Sequence, residues 1–584
     1  MTATTTRFAA AAVLMCLAAP AAARPTNADA QFTALTTREW AWRMKEFAQD
    51  PRASAPVEDH LPKVDPKSEA ARLAHWRKVM KDLEAIAYAQ LSPKNRVNYD
   101  VYKPQLQVLI ADQRFRQYEM PANSDTTFWS DFGYTAHEPF RSRQDYENWI
   151  AQMRDVPRYF REQMAEMKAG LARGFTPPKV TIQGHDQSLT AVANAAPKKT
   201  LFYIPFRHML PTVPAAERAK LRAEAVRAIR GRVQPAYAGL LKFWREDYVV
   251  HARTTLAAGD LPNGRAYYRA QIREYTTLDL TAAQIHKIGV RQVAKLHARM
   301  IAVMRKTGFK GSFAQFLHYL RTDPKFYART PRAYLHDAAW IAKVFDGKAA
   351  QFFGRLPRAR FTIRPVPPDI APFYTAARGG PGVYLLNTYD LKHRPLYNLT
   401  ALTLHESAPG HAFQIPLAME DKSLPDFRRY TYISAYGEGW AVYCEWLGQE
   451  MGMYRSPYSR FGMLGYQIWR AARLVVDTGI HAQGWSRARA IDYLLKYTAL
   501  PKHEIETEVD RYIGWPGQAL SYYLGEMAIR EGRAKAEKAL GAKFNIRAFH
   551  DMVLALGSVP LPVLTKHIDE FIEAGGVGPY PEEE

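Results

Sequence analysis

The stretch that organises this chain is Leu404-His405-Glu406-Ser407-Ala408-Pro409-Gly410-His411. It supplies two imidazoles and, beside the first of them, a carboxylate. Zinc hydrolases use such groups to hold the metal ion and to take a proton from water. In the common pattern the two histidines are four positions apart on one helix face, whereas here they are six apart (411 − 405). At about 100° per residue, an unbroken helix would place His411 about 120° away from His405.

Pro409 and Gly410 make the wider spacing compatible with a shared ion. Proline lacks an N–H group, and its ring clashes with the carbonyl four residues earlier, which here belongs to His405. We therefore expect the helix to break between the histidines, with Pro409 opening a new turn that returns His411 to the side of His405. The alternative is a kinked helix that carries two unrelated histidines.

A second stretch, Tyr436-Gly437-Glu438-Gly439-Trp440-Ala441-Val442-Tyr443-Cys444-Glu445, contains two carboxylates among apolar and aromatic residues. Glu438 and Glu445 are seven positions apart and so share a helix face. A carboxylate in such surroundings needs a partner to remain charged. We predict that Glu438 is the third metal ligand and that Glu445 orients a ligand histidine. The alternative is a pair of surface glutamates.

Several motifs together resemble those of one family. They are His405-Glu406-x-x-Pro409-Gly410-His411-x-x-Gln414, Glu438-Gly439-Trp440-Ala441, Arg473-x-x-x-Asp477-Thr478-Gly479-x-His481, Arg511-Tyr512-x-x-x-Pro516-Gly517-Gln518-Ala519-x-x-Tyr522, and Phe549-His550-Asp551 followed by Gly557-x-x-Pro560-Leu561. Over nearly the whole mature chain, the sequence resembles the bacterial domain of unknown function 885 family. That resemblance implies a mostly helical zinc peptidase of the gluzincin kind, similar to thimet oligopeptidase.

The expected site holds one Zn²⁺ per chain. His405, His411 and Glu438 would bind the ion, with water as the fourth ligand, and Glu406 would act as general base. Tyr522, Tyr523 or His481 could donate a hydrogen bond to the developing oxyanion, and Tyr522 is the one that matches the family pattern.

Further residues are assigned around this centre. Gln414, which lies in the family pattern, is expected behind the ligands together with Glu445. Arg473 and Arg511 could bind the C-terminal carboxylate of a substrate, because a guanidinium group can hold a carboxylate through two hydrogen bonds. The alternative for any one arginine is a surface position, since the chain has 79 lysines and arginines.

The N-terminus has the features of a secretory signal over residues 1–23. Arg7 precedes an apolar core at residues 8–17, and Ala21-Ala22-Ala23 forms a small-residue cleavage site. Lipid anchoring at Cys16 is disfavoured because the bulky Met15 precedes it. We therefore expect a periplasmic or secreted protein with no transmembrane segment. The mature chain then keeps only Cys444, which we expect to be buried rather than reactive.

The formal net charge of +22 indicates anionic surroundings or acidic substrates rather than a particular fold. Nucleic acid is not predicted as a partner, because the positive charges are spread and no nucleic-acid-binding motif accompanies them. A peptide is the expected partner. The sequence does not predict an oligomeric state.

Apolar spacing near 3.6 residues predicts a mostly α-helical fold. The predicted helices cover residues 68–90, 96–118, 143–173, 214–247, 281–306, 331–346, 398–419, 427–451, 458–481 and 486–497. Residues 382–387 are predicted to form a strand that pairs with residues 360–364 next to the metal helix. A peptide could bind the edge of this strand, with Tyr384 and Asn387 in contact with it. The alternative is a purely structural hairpin.

We expect a helical N-terminal region at residues 24–265 and a helical catalytic region at residues 266–584, packed across a cleft over the metal. Two functions remain open at this stage. The first is an exported zinc-dependent peptidase acting on short peptides. The second is a non-catalytic envelope protein that binds metal or peptide through a vestigial site. Glu406 favours the enzyme, because a degenerate site has little reason to keep a carboxylate beside its first ligand.

Overall fold

The computed structural model describes residues 27–580, except residues 53, 125, 369, 370, 372 and 373. Over these residues the chain is mostly α-helical with one three-stranded sheet, which confirms the predicted fold class. The predicted signal segment, with Cys16, lies outside the described residues. Within the described part, none of the helices combines the length and apolar character that crossing a membrane requires.

The first eleven helices form the N-terminal part of the chain. They are α1 Asn27–Glu46, α2 Pro66–Glu84, α3 Pro93–Phe115, α4 Phe132–His137, α5 Arg143–Arg173, α6 Lys179–Ile182, α7 Asp186–Ala193, α8 Ile204–Arg207, α9 Ala215–Ala228, α10 Gln234–Phe243 and α11 Val249–His251. The helix α5 has the predicted bounds because Ser142 and Asp145 form a capping box and Gly174 ends it in a left-handed conformation. The segment predicted as one helix at 214–247 is helical throughout, but wider π-helical turns at 229–233 and 244–248 separate α9, α10 and α11.

The remaining fifteen helices build the part of the chain that carries the motifs. They are α12 Gly264–Thr276, α13 Ala282–Lys306, α14 Phe313–Thr322, α15 Pro331–Asp346, α16 Ala349–Phe352, α17 Leu396–Glu406, α18 His411–Glu420, α19 Asp426–Arg429, α20 Ser434–Leu447, α21 Pro457–Gln483, α22 Arg487–Tyr497, α23 Lys502–Gly514, α24 Ser521–Leu540, α25 Ile546–Ala555 and α26 Leu561–Glu573. The segment predicted as helical at 398–419 is divided in two at the break expected between the histidines, and the segment predicted at 427–451 is also divided in two. Among the described helices of ten or more residues, those not predicted are α1, α12, α14, α23, α24, α25 and α26.

The sheet consists of β1 Thr362–Pro365, β2 Ala377–Gly380 and β3 Val383–Leu386, in the order β1-β3-β2. The predicted pairing of the 360–364 and 382–387 segments is confirmed and is parallel. The hairpin is formed by β3 with β2, whose Ala-Arg-Gly-Gly sequence reads as a loop. Because β3 is the central strand, both of its edges are already paired, and β2 is the outer strand on one side.

Close contact between α20 and α24 fixes the geometry around the motifs. A Cβ atom on Gly525 would lie 1.9 Å from the carbonyl oxygen of Ala435, and one on Gly439 would lie 2.5 Å from the carbonyl carbon of Gly525. The two backbones can approach this closely only where both helices carry glycine. The contact brings Glu438 on α20 near Tyr522 at the start of α24.

Buried apolar residues form three clusters. The largest draws mainly on the helices from α12 to α26 and on the sheet. A second cluster lies within residues 122–252, and a third joins residues 28–106 to Phe427. The proposed division of the chain near residue 265 stays a prediction.

Candidate metal centre

The chain between α17 and α18 folds back so that the two histidines meet. As predicted, the helix ends between them: α17 stops at Glu406 and α18 starts at His411. The Gly410 N–H group donates to the carbonyl oxygen of Leu404 at 3.0 Å. A Cβ atom on Gly410 would lie 1.8 Å from the carbonyl oxygen of His405, so this return requires glycine. The two imidazole rings lie 4.9 Å apart, nearly perpendicular to each other.

Glu438 completes the group. Its Oε2 atom lies 3.5 Å from Nε2 of His405 and 3.5 Å from Nε2 of His411. Ligands held at about 2.0–2.2 Å in a tetrahedral zinc site lie roughly 3.4 Å from one another. The three ligand atoms all lie within 4.8 Å of each other. This donor set and its spacing therefore fit a small divalent cation.

The charges of this group favour a cation at its centre. Burial alone would lower the pKa of His405, but its hydrogen bonds with Glu438 and Glu445 raise it to about 10. Burial likewise opposes ionisation of Glu438, yet the two imidazoles hold the pKa of this carboxyl well below its usual value. Positive charge is stabilised here, and a proton or a metal ion can supply it.

Glu445 lies behind His405, as predicted. Its Oε1 atom lies 2.8 Å from Nδ1 of His405, and the side chain is completely buried. A hydrogen bond at Nδ1 leaves Nε2 of the same ring free to bind a metal ion. Nη2 of Arg470 lies 3.7 Å from the same carboxylate oxygen and offsets its charge.

Glu406 is held by the sheet. The Gly379 N–H group in β2 donates to Oε2 of Glu406 at 2.6 Å. A Cβ atom on Gly379 would lie only 1.6 Å from the carbonyl oxygen of Glu406, so β2 lies directly against the end of α17. The sequence showed that a strand would precede the metal helix, but not that β2 would be the strand in contact with Glu406.

Tyr522 lies beside the histidines. Its ring stacks on that of His405 with the centres 6.5 Å apart, and its hydroxyl accepts a hydrogen bond from Nε2 of Gln518 at 3.3 Å. Tyr523 points elsewhere, since its hydroxyl lies 3.4 Å from Oε1 of Gln292. Of the two tyrosines, Tyr522 is therefore the one placed to contact a molecule bound at this centre.

Tyr432 also belongs to the site, although no sequence pattern identified it. Its ring lies 6.2 Å from that of His411 and packs over Gly437, where a Cβ atom would be 2.2 Å from the ring. Burial around the hydroxyl and the carboxylate of Glu438 raise the pKa of Tyr432, although 45% of the residue surface is exposed. The residue precedes α20 in an irregular segment, and nothing distinguishes it among 33 tyrosines in the sequence.

His481 does not reach the centre, and this corrects its assignment as an oxyanion donor. Its Nδ1 atom accepts a hydrogen bond from Ala258 N at 2.9 Å, and Nε2 donates to the carbonyl oxygen of Tyr512 at 2.9 Å. Burial lowers the pKa of His481 to about 3, so the ring is neutral. With both nitrogens bonded to backbone, His481 joins two segments of the fold.

Tyr384 and Asn387 are likewise structural, which corrects their assignment to substrate binding. Both are completely buried. The Tyr384 hydroxyl lies 3.4 Å from Oγ1 of Thr403 on α17. The Asn387 amide donates to three carbonyl oxygens, those of Ala371, Tyr374 and Thr375. These two side chains fix the sheet against α17 and hold the loop before β2.

The remaining predicted residues are Arg473, Arg511 and Gln414. Arg473 is 2% exposed, and its Nη2 atom donates to Oε2 of Glu508 at 2.8 Å. Nη1 of Arg511 lies 3.7 Å from the other oxygen of Glu508. Gln414 is buried, and its Oε1 atom has no hydrogen-bond partner among the described residues. Arg473 and Arg511 thus share one carboxylate of the protein itself.

Solved structures with the same architecture are known. A protein of Colwellia psychrerythraea described as a "putative lipoprotein" has a TM-score of 0.87 and 25% identity, over 94% of this chain and 100% of that one. A protein of Shewanella oneidensis described as a "putative lipoprotein of unknown function" has a TM-score of 0.65 and 18% identity, over 93% of this chain and 99% of that one, and shows the fold alone. Among curated proteins, none matches this chain significantly.

A family model covers most of the sequence and agrees with the resemblance seen in the motifs. It spans the helices from α2 to the first half of α26, including every residue of the metal centre. The match to bacterial protein of unknown function (DUF885) runs over residues 48–568, and this chain therefore belongs to that family.

Proposed function

We propose that this protein is a metal-dependent hydrolase that cleaves peptide bonds with one divalent cation, Zn²⁺, held by His405, His411 and Glu438. The observation that carries the proposal is the convergence of two Nε2 atoms and one carboxylate oxygen at 3.5 Å separations. Closed structural zinc sites take four protein ligands, whereas three protein ligands and one open position are typical of catalytic sites.

The surrounding side chains have complementary roles in this proposal. A bound zinc ion would make water more acidic and polarise a carbonyl group. Glu406 accepts the proton from water and delivers it to the leaving amine, with its carboxylate oriented by the Gly379 N–H group. Tyr522 donates to the oxygen on which negative charge develops. Glu445 and Tyr432 hold the ligands His405 and Glu438 in position.

A peptide is the proposed substrate because an extended chain can bind main-chain groups at the edge of β2 away from β3, where Glu406 already takes the Gly379 N–H group. This edge adjoins Glu406, so a peptide paired with it would pass the general base. Short peptides are favoured because the ligand side chains are largely buried, which restricts access to the site. The alternative is a vestigial site that binds metal or peptide without cleavage. The position of Glu406 beside the ligands does not favour this alternative.

The decisive experiment compares wild type with Glu406→Gln and with Glu531→Gln, an exposed residue of α24 that serves as the matched charge control. Metal content is measured on each purified protein, and a peptide library is digested and read by mass spectrometry. We expect about one zinc per chain in all three. We expect cleavage by wild type and Glu531→Gln, and a loss of about 100-fold or more in Glu406→Gln.

Other outcomes have definite meanings. Zinc binding by wild type without cleavage of any peptide would support the vestigial site. Unchanged cleavage by Glu406→Gln would remove Glu406 from the mechanism. Failure of all three proteins to bind zinc, cobalt or manganese would overturn the metal centre itself.

We also propose export of the chain, on the basis of the signal-like residues 1–23. The descriptions of the two similar structures add weight to a lipid anchor, which the sequence alone disfavours at Cys16. Mass spectrometry of the N-terminal peptide from cells distinguishes the two routes. Cleavage after about residue 23 supports a free protein, and a diacylglyceryl-modified Cys16 supports an anchored one.

A further inference from the structure

Two buried arginines of α21 stack on aromatic rings next to the metal centre. Arg470 is 5% exposed and Arg473 is 2% exposed. The Cζ atom of Arg470 lies 4.1 Å from the ring centre of Trp469, and that of Arg473 lies 4.2 Å from the ring centre of Tyr522. We refer to Arg470 and Arg473 as the arginine pair. Stacking uses the flat face of each guanidinium group, so the N–H groups, which point outwards in its plane, can still donate hydrogen bonds.

Several donors of the arginine pair have no acceptor. Among the described residues, Nε and Nη1 of Arg470 and Nη1 of Arg473 lack a hydrogen-bond partner. The other donors of Arg473 are used by the hydroxyl of Tyr512 and the carboxylate of Glu508. A buried charged donor without an acceptor is costly, and such groups in native proteins call for an explanation such as a ligand.

The nearby carboxylates are already engaged. Glu445 is hydrogen-bonded to His405, and Glu508 is shared between Arg473 and Arg511. Burial raises the pKa of Glu504 to about 7, which leaves this carboxyl only partly ionised near neutral pH. Arg394 adds a further positive charge near Glu504. The arginine pair therefore lies in a region where positive charge exceeds negative charge, as suits an anionic ligand.

The distance from the metal centre limits what that ligand can be. The Tyr522 ring lies close to both groups: its centre is 6.5 Å from that of His405 and 4.2 Å from Cζ of Arg473. An extended peptide advances about 3.3–3.6 Å per residue, so two or three residues suffice to cross this gap. A carboxylate held by the arginine pair would therefore belong to the same substrate molecule whose scissile bond lies at the metal.

We propose that Arg470 and Arg473 form a carboxylate-binding site that holds the C-terminus of a peptide substrate, so that the enzyme is an exopeptidase releasing a short C-terminal fragment. This inference rests on the proposed function. It adds Arg470 to the recognition of the substrate, while a role for Arg511, whose Nη1 atom lies 3.7 Å from Glu508, stays a prediction. Guanidinium groups bind carboxylates through charge-assisted hydrogen bonds, and the Nη1 atom of each arginine has no partner among the described residues and could donate one.

The carboxylate bound by the arginine pair could also belong to an acidic side chain of the peptide. The test therefore separates the C-terminal carboxylate from a side-chain carboxylate. Peptides of one sequence are made with a free C-terminus or a C-terminal amide, and each with Glu or Gln at the residues beyond the scissile bond. For wild type we expect kcat/KM to fall at least about tenfold on amidation, because a neutral amide cannot make the charge-assisted hydrogen bonds of a carboxylate. Replacement of Glu by Gln should have a smaller effect.

Variants then assign the effect to the arginine pair. Arg470→Gln and Arg473→Lys should lower kcat/KM for the free acid more than for the amide, mainly by raising KM. The ratio of kcat/KM for the acid to kcat/KM for the amide should therefore move towards one. Arg489→Gln is the matched control, because Arg489 is exposed and stacks on Trp485 at 4.1 Å in α22. It should leave the ratio at the wild-type value. Thermal unfolding checks that each variant is folded. The comparison of acid and amide on wild type tests the proposal even if a variant does not fold.

Equal cleavage of acid and amide by wild type would overturn the proposal, and so would a preference that follows the Glu side chain rather than the C-terminus. If no peptide is cleaved, the proposed function fails, and binding decides the inference separately. The zinc-loaded Glu406→Gln protein is then titrated with the same peptides by calorimetry. At least tenfold tighter binding of the free acid supports the carboxylate site, and equal affinities exclude it.

Discussion

The carboxylate of Glu445 lies 2.8 Å from Nδ1 of His405, with both side chains buried. The same helix, α20, also carries Glu438, whose carboxylate faces Nε2 of that imidazole. One helix thus contacts opposite sides of a single ring, and the seven-residue spacing of the two glutamates makes this possible. The ring is thereby fixed in both its tautomer and its orientation.

Removal of this support should weaken zinc binding. In Glu445→Ala, His405 loses its hydrogen-bond acceptor at Nδ1, and we expect the affinity for zinc to fall about 10–100-fold. Competition with a chromophoric chelator measures the change. Glu450→Ala is the control, because Glu450 pairs with Arg533 rather than with a ligand histidine. Equal zinc affinity in wild type and Glu445→Ala would contradict a supporting role for Glu445.

Adjacent glycines of β2 provide a matched test of the contact with α17. A Cβ atom on Gly379 would collide with the carbonyl oxygen of Glu406, while one on Gly380 has nothing within 4 Å. We expect Gly379→Ala to lose about 1–3 kcal/mol of unfolding free energy and most activity, because β2 must move away from Glu406. Gly380→Ala should change little. Chemical denaturation and peptide cleavage measure both effects, and similar behaviour of the two variants would exclude this contact.

The centre of the site could be predicted from sequence because its determinants are local. Pro409 and Gly410 indicate the break between the histidines, and the spacing of Glu438 and Glu445 indicates a shared helix face. Local pattern does not reveal partners that are distant in sequence. The side chain of His481 could serve in catalysis as well as in structure, and local sequence does not distinguish the two. Its hydrogen-bond partners are distant in sequence: Tyr512 is 31 positions away and Ala258 is 223 positions away.

The sheet shows the same limit in another form. β2 has the sequence Ala-Arg-Gly-Gly, with none of the branched or aromatic residues that favour strands. It is a strand because β3 offers an edge and because α17 comes too close for a side chain at Gly379. Tertiary packing rather than local preference thus selects its conformation. The orientation of Tyr384 and Asn387 could not be derived without knowledge of this strand.

The close approach of α20 and α24 gives a prediction on stability. In Gly525→Ala the new methyl group would lie 1.9 Å from the carbonyl oxygen of Ala435, so the helices must separate. We expect a loss of about 1–3 kcal/mol, as in other overpacked cores, together with weaker zinc binding as Glu438 shifts. Gly239→Ala in α10, with open space around its Cβ position, should instead gain about 0.5–1 kcal/mol. Denaturant titration distinguishes the two, and a stabilised Gly525→Ala would contradict the contact.

Glu526, one position after that crossing, is a buried acid with an incomplete set of partners. Its Oε1 atom accepts a hydrogen bond from Nη1 of Arg530 at 3.0 Å, while Oε2 has no partner among the described residues. Burial raises the pKa of Glu526 to about 7, against the attraction of Arg530 and with a further rise from the charge of Glu445. The folded protein therefore holds a proton at Glu526 that the unfolded chain releases near its ordinary pKa of 4.5.

Glu526→Gln should remove the corresponding pH dependence of stability. Because the folded-state pKa is the higher one, the stabilising contribution of protonation is complete below pH 4.5 and is lost as the pH rises to about 7. We expect the variant to gain about 1–3 kcal/mol relative to wild type between pH 5 and pH 8. Denaturant unfolding of both proteins at both pH values measures this difference. Burial also raises the pKa values of Asp477 and Glu504, but these two acids are present in both proteins, so their contributions cancel when the variant is compared with wild type. Glu531→Gln, on the exposed face of α24, should show no such trend. If Glu526→Gln and wild type lose stability in parallel from pH 5 to pH 8, Glu526 is already ionised in the folded protein at pH 5.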